Sequence, residues 1–267
     1  MDIAKDNQSK HGRITLAALG LVSVLSGFSA TAFAGNILVS NDEWMFSDSF
    51  LPTAQDTKFA QNSISWLTGG VTTGNVLILS DNFGLTGSGY TSLLSGMGYT
   101  VTATTSVPVS LSGYSAVLVA GMPVNNTLLS NYVNSGGSVF LEAGTGNGGA
   151  ASEAAQWNTF LNTYGLGLAP TYNGVNGNTN VSAFSSQTPY GPALFNGVSS
   201  IYIDNGNNVV LGGVPTSNDQ IFTDGSGNGL YGAWSAAPVP EPEIYGMMLV
   251  GLGLMGFMVR RTRNNQA

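Results

Sequence analysis

The sequence predicts an α/β fold, a parallel sheet sandwiched between helices, with a β-rich part at its C-terminal end. Three observations predict it. Short, continuously apolar runs such as Val76–Leu79, Ala116–Val119 and Ser138–Leu141 read as strands buried on both faces. Between them lie stretches whose apolar residues recur at helical spacing. From about Pro170 that alternation gives way to short β-prone runs separated by Gly and Asn.

Asn36–Ser40 is the first short buried strand. A helix follows from Thr53, whose hydroxyl and Asp56 three residues later form a capping-box pattern. Phe59, Ala60, Ile64 and Leu67 share its inner face, and Gly69-Gly70 ends it. Val76–Leu79 is the second strand, Tyr90–Met97 a short helix stopped by Gly98, and Thr100–Thr104 a β-branched strand. After Ala116–Val119, Asn126 is placed to cap a helix burying Leu128, Leu129, Tyr132 and Val133. Ser138–Leu141 follows. Ser152 then caps a helix with Trp157, Phe160, Leu161 and Tyr164 at i, i+3, i+4 and i+7, closed by Gly165. Residues 171–179 read as a Gly/Asn-rich loop, with strands at Ile201–Ile203, Val209–Leu211 and Ile221–Thr223 around a tight turn at Asp204–Asn207.

The ends of the chain carry an address. Lys5, Lys10 and Arg13 form a basic start, Ile14–Phe28 is largely apolar, and Ala32-Phe33-Ala34 is a small-x-small cleavage site before Gly35. This order describes a secretory signal peptide over 1–34. An exported domain is expected over 35–235, then a Pro-rich linker over 236–243, then a transmembrane helix and basic tail over 244–267. The apolar run Ile244–Val259 would make a helix of roughly 24 Å, slightly short of a hydrocarbon core of about 30 Å. Arg260, Arg261 and Arg263 act as a stop that keeps its C-terminal end in the cytoplasm. Glycines at 246, 251, 253 and 256 and the arginine cluster speak against a buried core helix.

Pro240-Glu241-Pro242, the apolar run and the basic stop, in that order, resemble the PEP-CTERM sorting signal. The resemblance implies export through the Sec machinery, cleavage by signal peptidase, a transient inner-membrane anchor, and processing by an exosortase. The protein is then expected at the cell surface or in the extracellular matrix. Proteins with this signal accompany exopolysaccharide and biofilm production, so the resemblance also implies extracellular polysaccharide as a partner.

Composition narrows the chemistry of the exported part. Lys58 is its single cation against ten acids, a formal charge of −9, and it contains no Arg, His or Cys. Such a surface repels nucleic acid, which needs clustered Lys and Arg.

A second resemblance covers about half of the exported part. Val76–Asn82, Leu111–Leu118 and the helix, Gly-Gly and strand of Leu129–Val139 resemble the class I glutamine amidotransferase-like (flavodoxin-like) sandwich. Phe59–Leu67 is similar to a helix of its non-catalytic relatives. The enzymes of that family use a Cys at a Gly-x-Cys-x-Gly turn with His and Glu. Here Glu142-Ala143-Gly144-Thr145-Gly146 stands near that turn, and amidotransferase chemistry is excluded.

In a parallel sheet, ligands sit at the carboxyl ends of the strands. Asp42, Glu43, Asp81 and Glu142 stand there. Converging, they would offer oxygen ligands to Ca²⁺ or another divalent metal, or an acid and base for glycoside hydrolysis. The plainer alternative is that they are turn formers and solvated acids. No obligate cofactor is implied. The glycine-rich Gly144–Gly149 is a weak candidate anion cradle, and Asp224–Gly229 reads as a β-turn. Trp44, Phe46, Tyr172, Tyr190, Tyr231 and Trp234 are candidates for a sugar-stacking surface. The leading expectation is a non-enzymatic surface or matrix protein. The competing one is an extracellular carboxylate-based glycosidase or divalent-metal enzyme.

Overall fold

The computed structural model describes residues 35–236, which belong to one compact unit. The leader, with Ala32 and Ala34, and the Pro240–Arg263 segment lie outside the described residues. Among the described residues, no helix is long and apolar enough to cross a membrane. Gly35, where the leader is expected to end, is buried against the backbone of Val133 and Gly137. Its carbonyl accepts from the N–H of Ala236 at 2.9 Å, so the two ends of the unit meet.

The first half runs β1 (Asn36–Ser40), α1 (Ala54–Leu67), β2 (Gly74–Ser80), α2 (Phe83–Thr86), α3 (Ser88–Gly96), β3 (Tyr99–Thr104), β4 (Ala116–Ala120), α4 (Asn126–Asn134), β5 (Ser138–Glu142) and α5 (Ala150–Leu161). The order of strands and helices matches the sequence pattern. The second half is β6 (Leu166–Tyr172), β7 (Asn176–Asn180), α6 (Gly191–Leu194), β8 (Ser200–Asp204), β9 (Asn207–Leu211), β10 (Asp219–Thr223) and β11 (Gly229–Ser235). Short 3-10 turns sit at Trp44–Phe46, Asn162–Tyr164 and Ser182–Ser186.

A seven-stranded sheet in the order β10-β11-β1-β5-β4-β2-β3 forms the centre. β1, β5, β4, β2 and β3 are parallel, and β11 and β10 add antiparallel strands beyond β1. Alternating side chains supply two separate cores, one on each face. Leu38, Val76, Ile78, Leu118 and Phe140 point to the side covered by α1 and the aromatic residues Phe59, Phe195 and Tyr231. Ile37, Val39, Leu77, Leu79, Val119 and Leu141 point to the side covered by α4 and α5. This double burial explains why the parallel strands read as unbroken apolar runs.

Local chemistry sets the helix ends. Thr53 caps α1 by accepting from the Asp56 N–H, as the capping-box pattern predicts. The cap of α4 is Asn125, not Asn126: Asn125 accepts from Leu128 N at 3.1 Å, while Asn126 reaches across to the Gln156 carbonyl. The cap of α5 is Gly149, three residues ahead of the expected Ser152. Gly165, at φ 75°, closes the turn after it in the left-handed region that glycine tolerates.

The β-rich half departs further from expectation. The 171–179 segment is not a loop throughout, since its ends belong to β6 and β7. The chain bends at Asn205 (φ 54°), but no hydrogen bond within Asp204–Asn207 closes a tight turn, and β8 and β9 do not pair with each other. β8 pairs with β7 and β9 with β6, so the bend carries the chain between two ribbons. A Cβ at Gly206 would fall 1.5 Å from the Asn41 carbonyl, so only glycine fits this crossing.

Phe195 holds the halves together. Its ring lies 5.2 Å from Phe59 of α1, 4.9 Å from Phe222 of β10 and 5.4 Å from Tyr231 of β11. Phe195→Ala is expected to cost about 3–5 kcal/mol of stability, read as the shift in urea midpoint. A loss under about 1 kcal/mol would show that this cluster does not bind the halves.

Candidate functional site

The carboxyl ends of the parallel strands gather the polar residues. The chain leaves β2 toward β3 on one side and returns to β4 on the other, so the loops after β2 and β4 part. Between them opens a cleft of about 460 Å³, lined by Asp81, Asn82, Phe83, Gly121, Thr145, Gly146 and Asn147. Gly121 (φ 71°) lets the wall come close, because a Cβ there would meet Asp81 and Asn82 at 3.0 Å. The Asn82 side chain accepts from Gly84 N at the start of α2 and donates to the Thr145 carbonyl, and Asn147 donates to the Gly121 carbonyl.

The four acids expected at strand ends divide into two groups. Asp81 is exposed and is the one charged residue in the cleft lining. Asp42, Glu43 and Glu142 are buried beside each other beneath it. The parity of the strands decides this. Glu142 lies in register with Ser40 of β1 and Ala120 of β4, on the face of Phe140, so it points into the core. Glu43 is roofed by Gly84 of the cleft loop, where a Cβ would lie 2.7 Å from the Glu43 carbonyl. Among the described residues, no group of three or more acidic, His or Cys side chains is arranged to hold a metal ion.

The buried acids are unequally supported. Asp42 accepts from Glu43 N at 2.7 Å, Trp44 N at 3.2 Å and Asp204 N at 2.6 Å. Burial still pushes its carboxyl up to about 7, against those donors. Burial, and then the charge of Asp42, push Glu43 up to about 8, with the Asn82 amide opposing. Glu142 is held well above the carboxylate range by burial and then by Glu43 and Asp42. Neither of its oxygens, nor Glu43 Oε2, the Asn41 amide atoms, or the Tyr90 and Tyr231 hydroxyls, finds a partner among the described residues. Asp42, with its three backbone donors, is thus the acid best equipped to carry charge, while burial and its acidic neighbours favour the protonated form of Glu142.

The glycine-rich loop after β5 does form an anion cradle, but the chain fills it with its own carboxylate. Glu153 accepts from Gly144 N at 3.0 Å, Thr145 N at 2.9 Å and the Thr145 hydroxyl. Asp224 likewise spends its oxygens within its own turn, on Ser226 N and Asn228 N.

Of the aromatic candidates, Phe46 and Tyr231 are fully buried core residues. Tyr190 packs on Trp66 and Trp234 on Tyr164, and Tyr172 is exposed. Trp44 alone joins an aromatic group beside the cleft, edge-on to Phe83 at 4.6 Å. Phe83, Phe50, Tyr202 and Asn82 carry no functional signal in the sequence. Asn147 lies within the glycine-rich Gly144–Gly149, and Glu153 follows that turn at the start of a helix.

Residues 238–263 match the family described as the PEP-CTERM protein-sorting motif. No curated protein and no solved structure matches the chain. The motif marks an exported protein with a membrane-anchored C-terminal signal, processed by an exosortase.

The buried acids predict an unusual pH dependence. Unfolded, Asp and Glu release their protons near pH 4, whereas in the folded body Asp42 and Glu43 hold them to about 7 and 8. The folded state therefore binds more protons between those limits, and stability falls as pH rises through that window. Asp56, raised by burial, adds in the same direction. At about 1.4 kcal/mol per pK unit the loss from pH 5 to pH 8 is expected to reach several kcal/mol. Glu142→Gln, which keeps the shape without the ionisable proton, should not lower stability at pH 5 and should lessen the loss as pH rises. Urea midpoints across pH check both, and stability rising from pH 5 to pH 8 would contradict them.

Proposed function

We propose that this is an exported, exosortase-processed protein that works without catalysis at the cell surface or in the extracellular matrix, in contact with exopolysaccharide. The observation that carries the reading is the sorting motif at 238–263. Export would use the Sec machinery and signal peptidase, with the inner membrane as a transient station. The exported body would be a non-catalytic relative of the class I glutamine amidotransferase-like domains. Counted from β2, its parallel strands lie in the order second, first, third, fourth, with β1 in the fifth place, which fits the flavodoxin-type order.

The absence of His and Cys from the exported part supports a non-enzymatic role, as does the burial of Asp42, Glu43 and Glu142. Carboxylate-based hydrolysis needs two carboxyl groups facing one substrate, and the cleft lining holds Asp81 alone.

One observation favours the second reading, an extracellular carboxylate-based glycosidase or divalent-metal enzyme. Raised acids cluster at catalytic sites, and Glu43 lies just under the cleft loop. Turnover of the host's exopolysaccharide, lost in Asp81→Asn or Glu142→Gln, would establish it.

The experiment for the first reading is fractionation of the producing cells. The wild-type chain is expected in the extracellular polymer, with no turnover of that polymer. Replacing Pro240, Glu241 and Pro242 by Ala should leave an unprocessed chain in the inner membrane. Processing unaffected by that change, or a wild-type chain missing from the polymer, would refute the reading.

A further inference from the structure

We propose that the cleft between the β2 and β4 loops, with the aromatic group beside it, binds a segment of an uncharged saccharide chain. This rests on the polysaccharide reading above and gives it a place and a ligand class.

The first reason is the wall. Phe83 is 47% exposed, unusual for a Phe ring, and it lines the cleft. It is backed by other aromatic rings. Trp44 meets it edge-on at 4.6 Å, and Trp44 is itself backed by Phe50 at 6.0 Å and Tyr202 at 6.3 Å. Phe50 and Tyr202 stack at 3.4 Å with 9° between their planes. Asp48 fastens the start of α3, the next helix after that of Phe83, by accepting from Ser88 N at 3.2 Å and Gly89 N at 2.8 Å. A ring buttressed by neighbouring rings has less freedom to lose on contact, and its face suits the C–H face of a pyranose.

The second reason is the floor. Asp81 accepts no hydrogen bond from the described residues, and Asn147 is exposed beside it. Asp81, the Asn147 amide oxygen and the Asn147 N–H not used on the Gly121 carbonyl offer acceptors and a donor to sugar hydroxyls across from the aromatic wall. The cleft is open to solvent along its length, and about 460 Å³ suits one or two sugar units of a continuing chain.

The third reason is charge. Lys58, the single cation of the exported part, lies on α1 and is not among the cleft residues. A uronate, sulfate or phosphate polymer would meet Asp81 with no positive charge to offset it, on a body of formal charge −9. An uncharged polyol meets no such penalty.

The test uses the full-length chain, purified in detergent, against neutral glucan, mannan and galactan hexasaccharides. Polygalacturonate supplies the anionic arm and chitosan oligomers the cationic one. At least one neutral hexasaccharide is expected to bind and polygalacturonate not to. Phe83→Ala should weaken neutral binding at least about tenfold, and Asn147→Ala should weaken it less. Val214→Ser, at an exposed apolar position outside the cleft, should leave it unchanged. Both cleft substitutions are at exposed residues, and matching thermal melts confirm that the variants are folded. Neutral binding that survives in Phe83→Ala overturns the site while leaving polysaccharide contact standing. Preference for polygalacturonate, chitosan binding that is lost in Asp81→Asn, or no neutral binding overturns the ligand class. Retention of the chain in the extracellular polymer decides the broader reading separately.

Discussion

β1 carries a hydrogen-bonded ladder on each edge, parallel to β5 and antiparallel to β11, and the rest of the body depends on that double pairing. Without it the parallel half would end at β5 and the β-rich half would have no sheet to join. The pairing also sets the row Tyr231, Ser40, Glu142 and Ala120 across four strands at their polar end. The chain then turns beneath the cleft loop, where Asp42 accepts the N–H of Asp204 and fastens the end of β8 to the end of β1.

The cost of this arrangement is a set of acids placed where water does not reach. Burying a carboxyl is tolerable when it is protonated or surrounded by donors. Asp42 has three backbone donors and Glu142 has none among the described residues. The acids therefore tie the molecule together under acidic conditions and strain it under alkaline ones. They lie behind the cleft, whose lining holds Asp81, Asn147 and Phe83.

Much of the first half was legible because parallel strands are a local matter of composition. Val76–Leu79 and Ser138–Leu141 announce burial on two faces without reference to their partners. β11 was not legible. Gly229–Ser235 is rich in glycine and becomes a strand only because β1 and β10 flank it. Gly229 must also lie against the backbone of Val209, where a Cβ would fall 1.8 Å from a carbonyl. β7 hid for a related reason, since its side chains are polar and its order comes from pairing with β8. The strand-end acids could be located in sequence, yet whether each faces core or cleft turns on one residue of parity. Phe83 stands out only once its exposure is known. The sorting signal was fully legible because it is read as linear order, whatever the fold ahead of it.

The central claim is that this compact body is delivered outside the inner membrane and separated from its two terminal segments on the way. The most direct measurement is mass spectrometry of the chain recovered from the extracellular fraction of the producing cells. The account predicts a first residue at Gly35 and a C-terminal end at or near Pro240–Pro242. An intact chain from Met1 to Ala267, found inside the cytoplasm, would contradict it.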